Sequence, residues 1–275
     1  MTPRIAFIGD LTVDIYPQAK NIRLGGSSLN SSMWAGRLGA MPAILAAVGE
    51  DRAGKKYVAK LKREGIESDR VKVLRGQTSA IEIFTDGSGE RRYGEWKPGV
   101  LANYHLDPQD FSFLKHQNAA ALTVYGPTKH LLDELVSFGS TRRRKKPLLV
   151  VDFADFGQLK KDMHVVESCI HAIDILVFGL DKDADEALIN QLKDIAAQTG
   201  KLIVVTLGRW GSLAYAGNRS FVQPARRVKV KDTTGAGDAF LAGFLISYLK
   251  TKNIKDSLVA GTELASRAIQ KLGAY

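Results

Sequence analysis

An α/β fold, with a central mostly parallel sheet covered by helices on both faces and a small β-sheet lid, is predicted by three features of this 275-residue chain. From residue 119 onward, strand-like runs (120–124, 148–153, 173–178, 202–207) alternate with helix-like segments (129–140, 183–199), the rhythm of βα units. Residues 71–100 break instead into short alternating strands (71–74, 79–84, 91–96) separated by Gly-rich turns such as 86–89. Late in the chain, Gly235-Ala236-Gly237-Asp238 opens a run, 239–248, that is apolar nearly all round, as a buried helix is. One domain over 1–275 follows, with 11–22 and 71–100 forming the lid.

Composition narrows the class. A chain 45% hydrophobic at this length buries one sizeable core. No apolar run reaches membrane-spanning length, and Met1-Thr2-Pro3-Arg4 leads directly into a strand-like run, so neither a signal peptide nor an anchor is expected. Cys169 is the single cysteine, which excludes an internal disulfide, reads as a core thiol and fits a reducing cytoplasm. The net charge of +10 admits nucleic acid, an acidic membrane surface or anionic small substrates. The densest basic run, 142–146, precedes Pro147 and an apolar strand and carries no interleaved aromatic residues. It reads as a solvated loop, so neither nucleic acid nor membrane is expected as a partner.

Taken in order, residues 5–10 form a short apolar run ending in Gly9-Asp10, a buried strand whose C-terminal end opens into a site. Alternation puts Asp10, Thr12 and Asp14 on one face if the strand continues, where two carboxylates hold hydroxyls or cap a turn. Gly25-Gly26 then lets a ligand approach the backbone, and Asn30 sits one helical turn further on. Gly49…Gly54-Lys55 imitates a P-loop, but Lys56 stands where that motif needs Ser or Thr, and the P-loop is rejected. In the lid, Arg92, Glu95 and Trp96 are the side chains equipped to read a substrate, unless the hairpin faces outward. Asp152 falls at a strand's C-terminal end.

The sharpest chemistry lies at Gly235-Ala236-Gly237-Asp238. Free N–H groups and the helix dipole make a helix start receptive to anions, and small residues leave room for a phosphate. Asp238 lies in the first turn beside that anion, where accepting a proton from an attacking hydroxyl gives it a role. The plainer alternative is a Gly-rich loop whose Asp stabilises a helix start.

Asp232-Thr233-Thr234-Gly235-Ala236-Gly237-Asp238-Ala239-Phe240 resembles the C-terminal signature of the ribokinase-like (PfkB) carbohydrate kinases, and Gly25-Gly26…Asn30 resembles their other signature. The resemblance runs over residues 5–275 and implies a ribokinase-like fold and an ATP-dependent sugar kinase using Mg²⁺. It makes Asp238 the catalytic base, the Gly235, Ala236 and Gly237 amides an anion hole, and Asp14, Gly25, Gly26 and Asn30 contacts to the sugar; Asp10 and Arg92 join the substrate residues from the reading of the strand face and the lid alone. It puts Thr206, Gly208 and Gly211 of the Thr-x-Gly-x-x-Gly turn beside the nucleotide. The family's Asn-x-x-Glu step, tied to magnesium, is absent after residue 178, leaving Asp183 or Glu186 as substitutes. Likewise Ala154 and Phe156 replace a polar pair after Asp152. Stretches 8–18, 93–100 and 268–275 point to members that phosphorylate a primary hydroxyl of a sugar–amino acid adduct. Fructose, keto-deoxy sugar acids and nucleosides are the other acceptors, and a non-catalytic sugar sensor is the rival outside the class. Pairing of two copies through the lid is a further expectation from the family.

Overall fold

A computed structural model of the chain describes residues 2–18, 20–85, 91–141 and 147–275, the side chains of Thr85, Arg91 and Arg92 excepted. In chain order the elements are β1 (Arg4–Gly9), β2 (Val13–Tyr16), β3 (Asn21–Leu24), α1 (Ser27–Arg37), β4 (Met41–Gly49), α2 (Arg52–Arg63), β5 (Val71–Leu74), β6 (Ala80–Thr85), β7 (Arg91–Lys97), α3 (Pro108–Leu114), β8 (Ala119–Thr123), α4 (Lys129–Thr141), β9 (Leu148–Asp155), α5 (Met163–Cys169), β10 (Ile175–Gly179), α6 (Glu186–Thr199), β11 (Leu202–Thr206), β12 (Ser212–Ala216), β13 (Arg219–Gln223), α7 (Ala236–Thr251) and α8 (Ile254–Ala268). Among these residues a nine-stranded sheet runs in the order β13-β12-β11-β10-β9-β8-β1-β4-β5, and a separate four-stranded sheet in the order β3-β2-β6-β7.

Alternation along the central strands feeds two cores. From β1, Ala6 and Ile8 face one side while Ile5 and Phe7 face the other. The same split separates Leu149 and Val151 from Val150, and Ile203 and Val205 from Leu202 and Val204. The first core is closed by α4, α5 and α6 through Leu131, Val166 and Leu192. The second is closed by α1, α7 and α8 through Trp34, Phe244 and Leu258. Strands buried on both faces need apolar residues without interruption, which is why these runs do not alternate in polarity. Neighbours from β11 through to β5 pair in parallel, and β12 and β13 add an antiparallel hairpin at one edge.

One expected boundary is corrected. Residues 71–74 do not join the small sheet: β5 pairs in parallel with β4 as the outermost strand of the large one. The chain leaves β4, forms α2 and returns beside β4, a βαβ crossover that a four-residue strand does not announce in its own composition. The small sheet is built by β2, β3, β6 and β7, with β2 and β6 parallel and the other pairs antiparallel.

Gly49–Lys55, set aside above as a P-loop, ties α2 to the small sheet's approach. The Asp51 carboxylate caps α2 by accepting from the Gly54 N–H at 2.8 Å and also accepts from the Thr78 N–H at 2.7 Å. Cys169 is fully buried, and burial pushes its thiol up to about 12, so it behaves as packing. The basic run 142–146 lies outside the described residues. None of the described helices is long and apolar enough to cross a membrane.

Candidate active site

Five parallel strands deliver their C-terminal ends to one place. Asp10, Thr123, Asp152, Gly179 and Thr206, in the C-terminal halves of β1, β8, β9, β10 and β11 or just past them, all line a cleft of about 1460 Å³. This is the position where open α/β sheets bind ligands. The small sheet forms the opposite wall with Ile81, Ile83, Tyr93 and Trp96.

The two glycine-rich stretches converge inside this cleft. Gly26, at φ 93, is the cap residue of α1, and a Cβ there would lie 2.6 Å from the Asp10 carbonyl oxygen. Only glycine fits so tight a turn. The next residue begins the helix, and its free N–H is satisfied by Asp10, whose Oδ1 accepts from Ser27 N at 3.0 Å. Asp10 therefore caps α1 from outside while facing the cleft. One turn later the Asn30 amide donates from Nδ2 to Asp238 Oδ2 at 2.8 Å. Asn30 Oδ1 is buried and has no partner among the described residues.

Asp238 lies in the first turn of α7. Gly235 caps that helix in the left-handed region at φ 69, and a Cβ there would lie 2.7 Å from the Ala274 methyl. Gly237 is different: a Cβ there would meet nothing within 4 Å, so protein packing does not require the glycine. The Ala236 N–H donates to the Thr233 carbonyl at 3.2 Å, which leaves the amides after it as the helix-start groups without an intrahelical acceptor. Residues 273–275 hold this turn from behind. Gly273 N donates to Asp232 Oδ2 at 2.8 Å, the Trp34 indole donates to the Ala274 carbonyl at 2.8 Å, and the Tyr275 hydroxyl donates to the Leu24 carbonyl at 3.0 Å.

Burial raises the Asp238 carboxyl to about 7; the Asn30 hydrogen bond opposes the shift, and the charges of Asp152 and Asp10 add to it. Burial likewise lifts Asp152 to about 6, against the hydrogen bond from the Ala154 N–H. Asp10 is also raised, mainly by burial. Three carboxyls perturbed together in one cleft are a mark of a reacting centre.

Of the other expected residues, Asp14, Thr206, Gly208 and Asp183 line the cleft. Gly25 does not: its N–H donates to the Thr12 carbonyl and the Tyr57 hydroxyl, and the Asp14 carboxylate occupies the space a side chain would need. Gly211 also stands back from the cleft, at φ 101, where a Cβ would strike the Gln223 carbonyl at 2.1 Å. Glu186 begins α6 without lining the cleft. Trp96 faces inward, its indole donating to Ser79 Oγ at 2.9 Å, while Glu95 faces solvent beside Lys97. The backbone of Arg92 belongs to β7, but its side chain lies outside the described residues.

Sequence reasoning missed the Ser27–Tyr125 hydroxyl contact, the Lys161–Asp185 ion pair and the Tyr57 hydroxyl that holds Gly25. Tyr125 lies two residues past β8 and precedes Gly126-Pro127, a signal that marked a strand end facing the site.

A buried carboxyl poised near neutrality beside an anion-receptive helix start suits transfer of a phosphoryl group to an alcohol, and the scaffold is that of an α/β phosphotransferase. Residues 5–275 match the pfkB family carbohydrate kinases, and the chain belongs to that family. It is an ATP-dependent carbohydrate kinase. Over 271 residues it is 30% identical to fructoselysine 6-kinase of Escherichia coli strain K12, covering 98% of this chain and 99% of the relative. It is 27% identical to a fructosamine kinase of Bacillus subtilis strain 168, covering 99% and 93% respectively. In fold it resembles a probable sugar kinase from Rhizobium etli CFN 42, with a TM-score of 0.84 at 20% identity over 100% of this chain and 95% of that one.

Proposed function

We propose that this kinase transfers the γ-phosphoryl group of ATP to a primary hydroxyl of a sugar–amino acid adduct, fructoselysine being the first candidate. Similarity to the fructoselysine and fructosamine kinases supports the acceptor class. The observation that carries the chemistry is the Asn30–Asp238 hydrogen bond, because it fixes the carboxylate beside the helix that would hold the sugar. Asp14, the Gly26 backbone and Asn30 Oδ1 hold the sugar hydroxyls, the last as a buried acceptor with no partner among the described residues. The γ-phosphate lies against the α7 start, and the nucleotide lies along Thr206 and Gly208. As the acceptor oxygen bonds to phosphorus and the bond to the β-phosphate oxygen breaks, Asp238 takes the hydroxyl proton and later releases it to water. The transition state is loose, so positioning and charge stabilisation carry most of the rate. Closure of the small sheet, with Trp96 and Tyr93 on its inner face, would exclude water.

The chemistry of the cleft suits magnesium. Among the described residues Asp10, Asp14, Asp152, Asp155, Asp181, Asp183, Asp185, Asp232 and Asp238 line it, against only Lys161, Arg209 and Lys231. A polyanionic nucleotide entering so acidic a cleft fits best with a cation on its phosphates. No group of three or more metal-binding side chains converges among the described residues, which suits a hydrated ion borne by phosphate. Asp183 would hold it with Asp181, whose carboxyl is kept below its usual range by the Ala184 and Asp183 N–H groups. Bound there, the ion would neutralise charge on the phosphates.

The test is ADP release measured with fructoselysine, fructose, 2-keto-3-deoxygluconate and nucleosides as acceptors. Turnover of fructoselysine at the highest kcat/KM is expected, and preference for another acceptor removes the adduct reading. Asp238→Asn should lower kcat by about 10²–10⁴-fold while ATP still raises the unfolding temperature. Wild-type turnover in that variant would remove the base role.

A further inference from the structure

A second concavity adjoins the cleft at Asp14. Its volume of about 520 Å³ lies within the range of roughly 300–1,000 Å³ for small-molecule sites, and Asp14 lines both. Strand register puts side chains of both on one face of the small sheet. Asp14 is paired with Arg23 across β2 and β3 and with Ile81 across β2 and β6, and Ile81 is paired with Trp96. Directly paired residues share a face of a sheet, so Arg23 lies on the same face as the cleft-lining Ile81 and Trp96. The facing wall comes from α2, where Lys56, Lys60 and Arg63, spaced four and three residues apart, fall on one stripe.

Charge reverses from cleft to concavity. Carboxylates dominate the cleft, whereas the concavity carries Arg23, Lys56, Lys60 and Arg63 with Asp14 as the single acidic side chain among its described lining residues. Like charges at these helical spacings repel and weaken a helix, so the stripe works against α2's own stability. Glu64 relieves it only in part, approaching Lys60 at 3.6 Å and Arg63 at 3.2 Å from outside the concavity. An anionic ligand group would compensate the remainder. A sugar whose reacting hydroxyl lies at Asp238 and whose other hydroxyls reach Asp14 would send a substituent on its far carbon into this basic end.

We propose that the concavity between the small sheet and α2 is a subsite for a carboxylate-bearing substituent on the sugar, with Arg23, Lys56 and Arg63 as its charge partners. This rests on the adduct reading given above and extends it to the amino-acid end of the substrate. The subsite selects adducts with a free carboxylate over alkylamine adducts of the same sugar.

The experiment compares fructoselysine with the fructose adduct of n-butylamine, which has the same sugar and amine linkage but no carboxylate. The ratio of their kcat/KM values is measured for the wild type and for Lys56→Met/Arg63→Met. The wild type is expected to favour fructoselysine, and the double variant to reduce the ratio about tenfold, as loss of charge-assisted contacts does. Lys56→Glu should reduce it further. Because the ratio compares two acceptors on one protein, a general loss of folding or turnover cancels. An unmoved ratio, with both adducts turned over, overturns the subsite and leaves the adduct reading standing. A wild type that turns over neither adduct but phosphorylates another sugar removes the adduct reading, and the subsite with it.

Discussion

Asp238, Asp152 and Asp10 line one cleft and would repel each other if all were charged. A base must be ionised to accept a proton, so kcat/KM, which reports the free enzyme, should rise with pH through about 7, the value to which burial lifts Asp238. Removing the neighbouring charge with Asp152→Asn should move that limb to lower pH, since Asp152 raises the Asp238 carboxyl. Asn30→Ala should move it upward, because the lost hydrogen bond had favoured the charged form. A pH–rate series on the three proteins checks both directions, and a limb unmoved by either change would mean that another group titrates. Stability has its own sign. A folded-state value of about 7 against 3.8 means the folded chain holds a proton the unfolded chain has lost, so stability falls as pH rises from about 4 to about 7.

Two helix starts, those of α1 and α7, make the site, and their glycines are there for different reasons. At Gly235 the left-handed backbone and the Ala274 methyl both exclude a side chain. Gly235→Ala should cost about 1–2 kcal/mol for the backbone conformation alone, and more for the contact. At Gly237 nothing in the protein stands where a Cβ would be. Gly237→Ala should therefore leave stability unchanged or raise it by up to about 1 kcal/mol, as alanine does within a helix, while turnover falls because the methyl intrudes on the phosphate. Thermal unfolding and steady-state rates on the two variants separate these reasons. If Gly237→Ala retains full activity, the phosphate does not approach that amide.

Across the whole molecule, what was legible in the sequence is what local pattern encodes. Uninterrupted apolar runs gave β8, β9, β10 and β11, and the apolar run after Gly237 gave α7, because burial on all sides leaves no polar positions. That Asp238, Gly26 and Asn30 meet in one cleft was legible because two short motifs carry all three residues. β5 was misplaced because a four-residue edge strand reads alike in either sheet, and α5 was missed because it spans only Met163–Cys169. Contacts such as Ser27 with Tyr125, or Asp185 with Lys161, join residues far apart in sequence, and no local period reports them.

The Trp34 indole, hydrogen-bonded to the Ala274 carbonyl, lies where the two glycine-rich stretches of the candidate site are laced together by residues 273–275. On the proposed site, its N–H proton would report on both ligands. In a proton NMR spectrum, nucleotide alone and sugar alone should each displace that resonance, and each should slow its exchange with deuterated solvent. A resonance that answered to only one of them would mean that the other ligand does not reach this lacing.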